Sequence, residues 1–102
     1  MKPLEKIRRQ LAQGQFDFTR HALRRAVERN IPESEIRQMA ENARIIEDYP
    51  QDKYTPSCLL LGFTKSGRPL HMQVSYADSE LARIITLYEP DPNEWIEFEK
   101  RR

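Results

Sequence analysis

The chain has 102 residues and a formal net charge of +1, with 38% apolar and 32% charged residues. These totals fit one globular domain over residues 1–102 and exclude a large multi-domain chain. No apolar run approaches the 18 or more residues that a membrane span needs, and the charged N-terminus lacks the apolar segment of a secretory signal. The single cysteine, Cys58, permits neither an internal disulfide nor a zinc cluster. We expect a cytoplasmic protein without membrane contact, metal or cofactor.

The charge is unevenly distributed along the chain. Residues 1–29 contain eight lysines and arginines against three acidic residues, whereas the remaining residues are acidic on balance. A basic N-terminal third can bind a polyanion locally. The same pattern is also typical of helices with solvated polar faces, and charge alone leaves both interpretations open.

Three helices are predicted in the first 43 residues. The first spans residues 3–13, with a proline in its first turn, and ends at Gly14. The second begins after the N-cap candidate Thr19 and runs to about Arg29. Its apolar stripe consists of Ala22, Leu23, Ala26 and Val27. The third begins near Pro32, with acidic residues in its first turn, and its inner face is Ile36, Met39, Ala40 and Ala43.

The second half predicts strands. The segments 44–49, 57–64, 70–76 and 81–88 are rich in apolar residues and are separated by turns that contain proline, glycine or aspartate. Residues 93–100 predict a short terminal helix. The predicted fold class is therefore α+β, with two or three N-terminal helices packed on one face of a roughly four-stranded, mainly antiparallel sheet.

The segment 70–76 alternates strictly between apolar and polar residues. Its apolar residues should meet the helices, which leaves His71 and Gln73 on the open face of the sheet. In the next strand, Ile85 and Leu87 are expected in the core, so that Thr86 and Tyr88 lie beside His71. That assignment also leaves Ile84 on the open face.

The open face combines groups that can act on a phosphodiester. Histidine can move protons near neutral pH, tyrosine can donate a proton, and Lys65 and Arg68 in the neighbouring turn could hold phosphate. An ordinary solvated sheet face explains the same alternation, and the pattern alone does not separate the two interpretations.

The second predicted helix carries a further candidate group in the stretch FTRHALRRAVERN. His21 falls opposite the apolar stripe, with Arg25 one turn further on, whereas Arg29 lies nearer the edge of the stripe. A neutral histidine at a helix start can act as a general base. It can equally form a purely structural hydrogen bond to a loop.

Three stretches resemble a known family when they are taken in order: FTRHALRRAVERNIPESEI, GRPLHMQVSY and ARIITLYEPDPNEW. They resemble the small bacterial proteins described as domain of unknown function 4258, over about Phe18 to Trp95. The layout of helices before an antiparallel sheet is also similar to that of the BrnT and RelE/ParE toxins.

This resemblance implies a toxin of a type II toxin–antitoxin pair that acts as a metal-independent endoribonuclease. The substrate would be RNA, in particular mRNA, and the partner a DNA-binding antitoxin protein. The implied catalytic residues are His71, His21, Tyr88 and Arg25, and the substrate-binding candidates are Lys65, Arg68, Arg29 and Gln73.

The expected reaction begins when a neutral histidine removes a proton from an RNA 2′-hydroxyl, and the oxygen then attacks the adjacent phosphorus. His71 is the first choice as base or acid. His21 or Tyr88 is its complement, and Tyr88 takes that role if the two histidines do not meet. The alternative is a non-catalytic regulatory module that binds RNA or protein.

Overall fold

The computed structural model describes residues 1–102 as three helices and seven strands. The helices are α1 (Leu4–Ala12), α2 (Arg20–Glu28) and α3 (Glu33–Ala40). The strands are β1 (Phe16–Phe18), β2 (Arg44–Tyr49), β3 (Ser57–Phe63), β4 (Pro69–Ser75), β5 (Ala82–Tyr88), β6 (Trp95–Ile96) and β7 (Lys100–Arg101). None of the helices is long and apolar enough to cross a membrane.

Five strands form the main sheet in the order β1-β5-β4-β3-β2. All neighbours are antiparallel except β1 and β5, which run parallel with Phe16 opposite Ala82. The α+β class and the N-terminal helices are therefore confirmed. The sheet is wider than predicted because the three-residue β1, between α1 and α2, adds a fifth strand at its edge.

The helix α2 begins directly after its predicted N-cap Thr19, whereas α1 and α3 begin after Pro3 and Pro32, whose side chains form no capping hydrogen bond. The Thr19 hydroxyl accepts a hydrogen bond from the Ala22 amide at 3.1 Å and donates one to the Ile85 carbonyl at 3.0 Å. This N-cap therefore also attaches the start of α2 to β5. Asn30 ends the α2 segment with a positive φ of 52°, a conformation that asparagine tolerates better than most residues.

The hydrophobic core lies between the three helices and one face of the sheet. It contains 18 buried residues, among them Leu11 from α1, Met39 from α3 and Met72 from β4. The approach of α3 to β3 is very close at Gly62, where an added Cβ would lie 2.3 Å from the Met39 carbonyl oxygen. This contact explains why the apolar strand β3 contains a glycine.

A β-bulge in β5 corrects the predicted core. Val74 pairs with Ile84 and Gln73 pairs with Thr86, so Ile85 is the extra residue. Ile84 is consequently fully buried in the core, whereas Ile85 is only partly buried. The expectation that Ile85 joins the core and Ile84 faces outward was wrong, because the bulge reverses the alternation before Thr86.

The C-terminal segment is a hairpin and not the expected helix. Trp95 pairs with Arg101, and Ile96 pairs with Lys100. The hairpin covers the sheet face opposite the helices, where the rings of Phe63 and Phe98 lie 6.3 Å apart in an edge-on contact. The face that was expected to be open is therefore partly covered.

The apolar stripe of α2 is only half buried. Ala22 and Ala26 lie in the core, but Leu23 and Val27 remain 52% and 71% exposed. The nine-residue helix contacts β5 and β1 through its alanine side. Its larger apolar side chains are left on the surface.

Candidate functional site

The candidate site is centred on a hydrogen bond between two neighbouring strands. His71 in β4 is opposite Tyr88 in β5, and the His71 Nδ1 atom lies 3.1 Å from the Tyr88 hydroxyl. Gln73 and Thr86 form the next pair on the same face, as the alternation predicted. His71 is fully buried, whereas Tyr88 is partly exposed. Tyr88 is therefore the member of this pair that a ligand can reach.

The hydrogen bonds of His71 define its tautomer. The Nε2 atom lies 2.5 Å from the backbone carbonyl oxygen of Phe98, which can only accept, so Nε2 carries the proton. Nδ1 then has a free lone pair and accepts the Tyr88 hydroxyl proton. Burial lowers the pKa of His71, although the Phe98 carbonyl opposes this change. Burial also raises the pKa of Tyr88. Both effects favour the neutral pair.

The Phe98 carbonyl is held towards His71 by an unusual backbone conformation. Glu97 and Phe98 have φ values of 51° and 65°, and the Glu99 amide donates to the Ile96 carbonyl at 3.1 Å across the turn. Two successive left-handed residues without glycine are unfavourable, by about 1 kcal/mol or more each. Such strain persists only where the surroundings enforce it, and here it supplies the acceptor for a buried histidine.

Trp95 and Arg101 of the hairpin cover the histidine. The Trp95 ring is perpendicular to the His71 ring, with centroids 4.4 Å apart, and the Arg101 guanidinium carbon lies 4.6 Å from the Trp95 centroid. Arg101 also donates two hydrogen bonds to Glu47 in β2, at 2.9 and 3.2 Å. Burial alone would raise the pKa of Glu47, but the hydrogen bonds from Arg101 and Tyr49 lower it. Glu47 is therefore an ionised anchor for the hairpin.

Tyr88 opens into a pocket of about 280 Å³ beside the hairpin. Its lining residues are Arg29, Tyr88, Glu89, Asp91, Glu94, Trp95 and Arg101. Arg29 extends from the end of α2, donates to the Leu87 carbonyl at 3.0 Å, and places its guanidinium carbon 5.9 Å from the Tyr88 ring centroid. The pocket therefore offers two guanidinium groups and a phenol, together with three carboxylates.

The carboxylates of the pocket differ in how they are engaged. Glu89 accepts a hydrogen bond from Arg68 at 2.7 Å, and Asp91 accepts one from the Asn93 amide at 2.9 Å. Glu94 is exposed and forms no ion pair within 4.0 Å. Asp91 forms no ion pair either, so two of the three carboxylates of the pocket lack a cationic partner. No group of three or more His, Cys, Asp or Glu side chains is arranged to hold a metal ion.

Two of the three predicted candidates on α2 do not join this site. His21 is exposed and is not among the partners of His71, whose ring faces the side of the sheet opposite α2. Arg25 forms an ion pair with Glu28 on the helix surface at 3.2 Å. Arg29 is the predicted α2 residue that reaches the pocket.

The remaining binding candidates lie outside the pocket. Arg68 donates to Glu35, Glu89 and two backbone carbonyls, those of Asn30 and Arg29. Its guanidinium group therefore connects α2, α3 and the end of β5. Lys65 is exposed in the β3–β4 turn, and the Gln73 amide donates to the Ser57 hydroxyl at 2.9 Å.

Four residues of the site were not predicted from the sequence: Glu47, Trp95, Phe98 and Arg101. Trp95 is the one tryptophan in the chain, and its position shortly after Pro90 and Pro92 was the available signal. The other three act through contacts across more than 25 residues, or through a backbone carbonyl, and have no local pattern.

A sequence comparison places this site within a family. The family described as "Domain of unknown function (DUF4258)" matches residues 18–89, which include α2, α3, the strands β2 to β5 and both members of the His71–Tyr88 pair. No curated protein and no solved structure matches the chain. Because the match covers more than half of the sequence, the chain belongs to the DUF4258 family.

Proposed function

We propose that the protein is a metal-independent endoribonuclease in which Tyr88 contacts the RNA and the buried His71 accepts the proton of the Tyr88 hydroxyl. The observation that carries this proposal is the relay from the Tyr88 hydroxyl to Nδ1 of a buried histidine, with Nε2 held by the Phe98 carbonyl. Burying both ring nitrogens in a small domain is costly unless each finds a partner. Buried groups with shifted pKa values and specific partners beside a pocket are candidates for function.

In the proposed reaction, the Tyr88 oxygen accepts the proton of the RNA 2′-hydroxyl as it passes its own proton to His71 Nδ1. The 2′-oxygen forms a bond to the adjacent phosphorus, and the bond to the 5′-oxygen breaks. The leaving 5′-oxygen takes a proton from water, and the product is a 2′,3′-cyclic phosphate. The hydroxide that remains is neutralised when His71 Nδ1 returns its proton through the Tyr88 hydroxyl, which restores the starting state of both residues. Arg29 and Arg101 stand where they can stabilise the charge of the crowded phosphorus.

The test is cleavage of a single-stranded RNA by the purified protein in the presence of EDTA, with Tyr88→Phe as the variant. This change removes only the hydroxyl, and loss of a positioned acid–base group lowers the rate by about 10²- to 10⁴-fold. His21→Gln is the matched control and should cleave at the wild-type rate, because His21 lies outside the pocket. An oligonucleotide with 2′-deoxyribose at the cleaved position should resist.

Two results would overturn the proposal. Tyr88→Phe could cleave as fast as the wild type, or the folded wild-type protein could leave RNA and mRNA intact. In a cell, the proposal also predicts growth arrest that Tyr88→Phe relieves, and a DNA-binding antitoxin encoded next to the gene. These cellular expectations depend on the similarity to the toxin families.

The second candidate is a non-catalytic regulatory module. The observation that favours it is the complete burial of His71, with both ring nitrogens engaged. A module of this kind that binds RNA would do so without cleavage, and log Kd would change steeply with log salt concentration. Cleavage dependent on Tyr88 separates the two candidates.

A further inference from the structure

An apolar groove lies on the helix side of the molecule and shares no lining residue with the Tyr88 pocket. It has a volume of about 580 Å³ and is lined by Phe18, Leu23, Ala26, Val27, Asn30, Ile31, Pro32 and Glu33. Five of these eight residues are hydrophobic. The groove therefore runs between the exposed side of α2 and the connection to α3.

Leu23 and Val27 are the exposed apolar side chains of this groove. At 52% and 71% exposure, they retain much of the surface that a helix normally buries. The two residues are four positions apart, so they lie on one side of α2. Single exposed apolar residues are common, but an adjacent pair that lines a groove marks a surface for a partner.

Positive charge borders the groove on the outer side of α2, whereas Glu33, at the start of α3, is the one charged residue of the lining. Arg20 is three positions before Leu23, and Arg24 is three positions before Val27. Each arginine is therefore adjacent to one of the two apolar side chains, on the outer side of α2. Both arginines are exposed, and neither forms an ion pair within 4.0 Å. Arg25 lies on another side of the helix and instead forms an ion pair with Glu28. Arg20 and Arg24 are therefore available to an acidic partner.

From these features we infer that the groove binds an amphipathic segment of a partner protein, with apolar side chains in the groove and acidic side chains on Arg20 and Arg24. Such a segment follows the helix-in-groove mode of recognition, in which anchors recur every three to four residues. This inference does not depend on whether the Tyr88 pocket cleaves RNA.

Charge distinguishes this occupant from the alternatives. A second copy of the chain that docked through the same face would bring equivalent arginines together across a two-fold axis. A nucleic acid would satisfy the arginines but would leave Leu23 and Val27 against a polar backbone. An acidic amphipathic segment satisfies both the apolar centre and the two arginines on the outer side of α2.

The test is selection of 16-residue peptides from a displayed random library on the immobilised wild-type protein. Enriched peptides should have a net negative charge and apolar residues at spacings of three and four. Val27→Asp should weaken their binding at least tenfold. Arg24→Glu should weaken it by about fivefold, as expected for the loss of an attraction and the gain of a repulsion at an interface rim.

Leu81→Asp is the matched control, because Leu81 is 43% exposed but does not line the groove. It should bind the peptides as the wild type does, and circular dichroism should show all three variants folded. The inference fails if no peptide is enriched, if enriched peptides are basic, or if Val27→Asp binds them equally well. It also fails if the protein forms a dimer that Val27→Asp dissociates.

Discussion

Replacing Gly62 by alanine should destabilise the protein severely. The added Cβ would lie 2.3 Å from the Met39 carbonyl oxygen and 3.0 Å from the Met39 carbonyl carbon and Cβ. Carbon atoms pack at about 3.5–4.0 Å, so α3 would have to withdraw from β3 by about 1 Å. The nearest atom is the backbone carbonyl oxygen of Met39, which cannot rotate away as the end of a long side chain can.

The expected cost follows from this geometry. Overpacking a core by one methyl group costs about 1–3 kcal/mol, and we expect the upper end because a whole helix must move. A loss of 3 kcal/mol would lower Tm by about 12–24 °C in a domain of this size. Urea denaturation and differential scanning calorimetry measure both quantities.

Gly67→Ala is the matched control for the loss of glycine itself. Nothing lies within 4 Å of its Cβ position, but its φ of +89° disfavours alanine. We expect a smaller cost of about 1–2 kcal/mol, from backbone strain alone. The close approach of α3 to β3 is wrong if the free energy of unfolding of Gly62→Ala lies within 1 kcal/mol of the wild-type value, or if Gly67→Ala is the more destabilising change.

Three further predictions concern the site. Burial lowers the pKa of His71 in the folded protein below the ordinary 6.5, so the unfolded chain binds more protons in acid. The free energy of unfolding should therefore fall as the pH drops below 6.5, and above pH 6.5 it should not depend on His71. Urea titrations from pH 5 to 7 measure this pH dependence, which His71→Gln should remove. Trp95→Ala should lower the free energy of unfolding by about 3 kcal/mol and move the His71 pKa towards 6.5, measured by NMR of the ring protons; an unchanged pKa would contradict the covering role of Trp95. Glu94→Gln should tighten binding of a short RNA by about threefold in fluorescence anisotropy, because it removes a carboxylate of the pocket that forms no ion pair. Unchanged or weaker binding would place the RNA elsewhere.

The helices and the central strands were predictable because their signals are local. Thr19 caps α2 through the residue three positions later, and the alternation in β4 correctly placed His71 and Gln73 on one face with Tyr88 and Thr86. These patterns depend on periods of 3.6 and 2 residues, which the sequence displays directly.

The remaining features depend on tertiary contacts. β1 has three residues and no alternation, and its parallel partner lies more than 60 residues away. The hairpin turn at Glu97 and Phe98 contains no glycine or asparagine to mark its positive φ values. The bulge at Ile85 likewise has no glycine to mark it, and it decided which isoleucine faced the core.

The free-energy cost of burying His71 is the reason that we assign different roles to the two exposed surfaces, the Tyr88 pocket and the apolar groove beside α2. A phenylalanine at this position could pack between Tyr88 and Trp95 without burying two ring nitrogens, so packing alone does not require histidine. The chain instead combines a buried imidazole with a left-handed Phe98, and each locally unfavourable feature satisfies the other. Locally unfavourable features that compensate one another concentrate at functional sites. The outer face of α2 has no such strain, because its arginines and apolar side chains lie in ordinary helical geometry on the surface. Chemistry is therefore best sought at Tyr88, and partner binding at Leu23 and Val27.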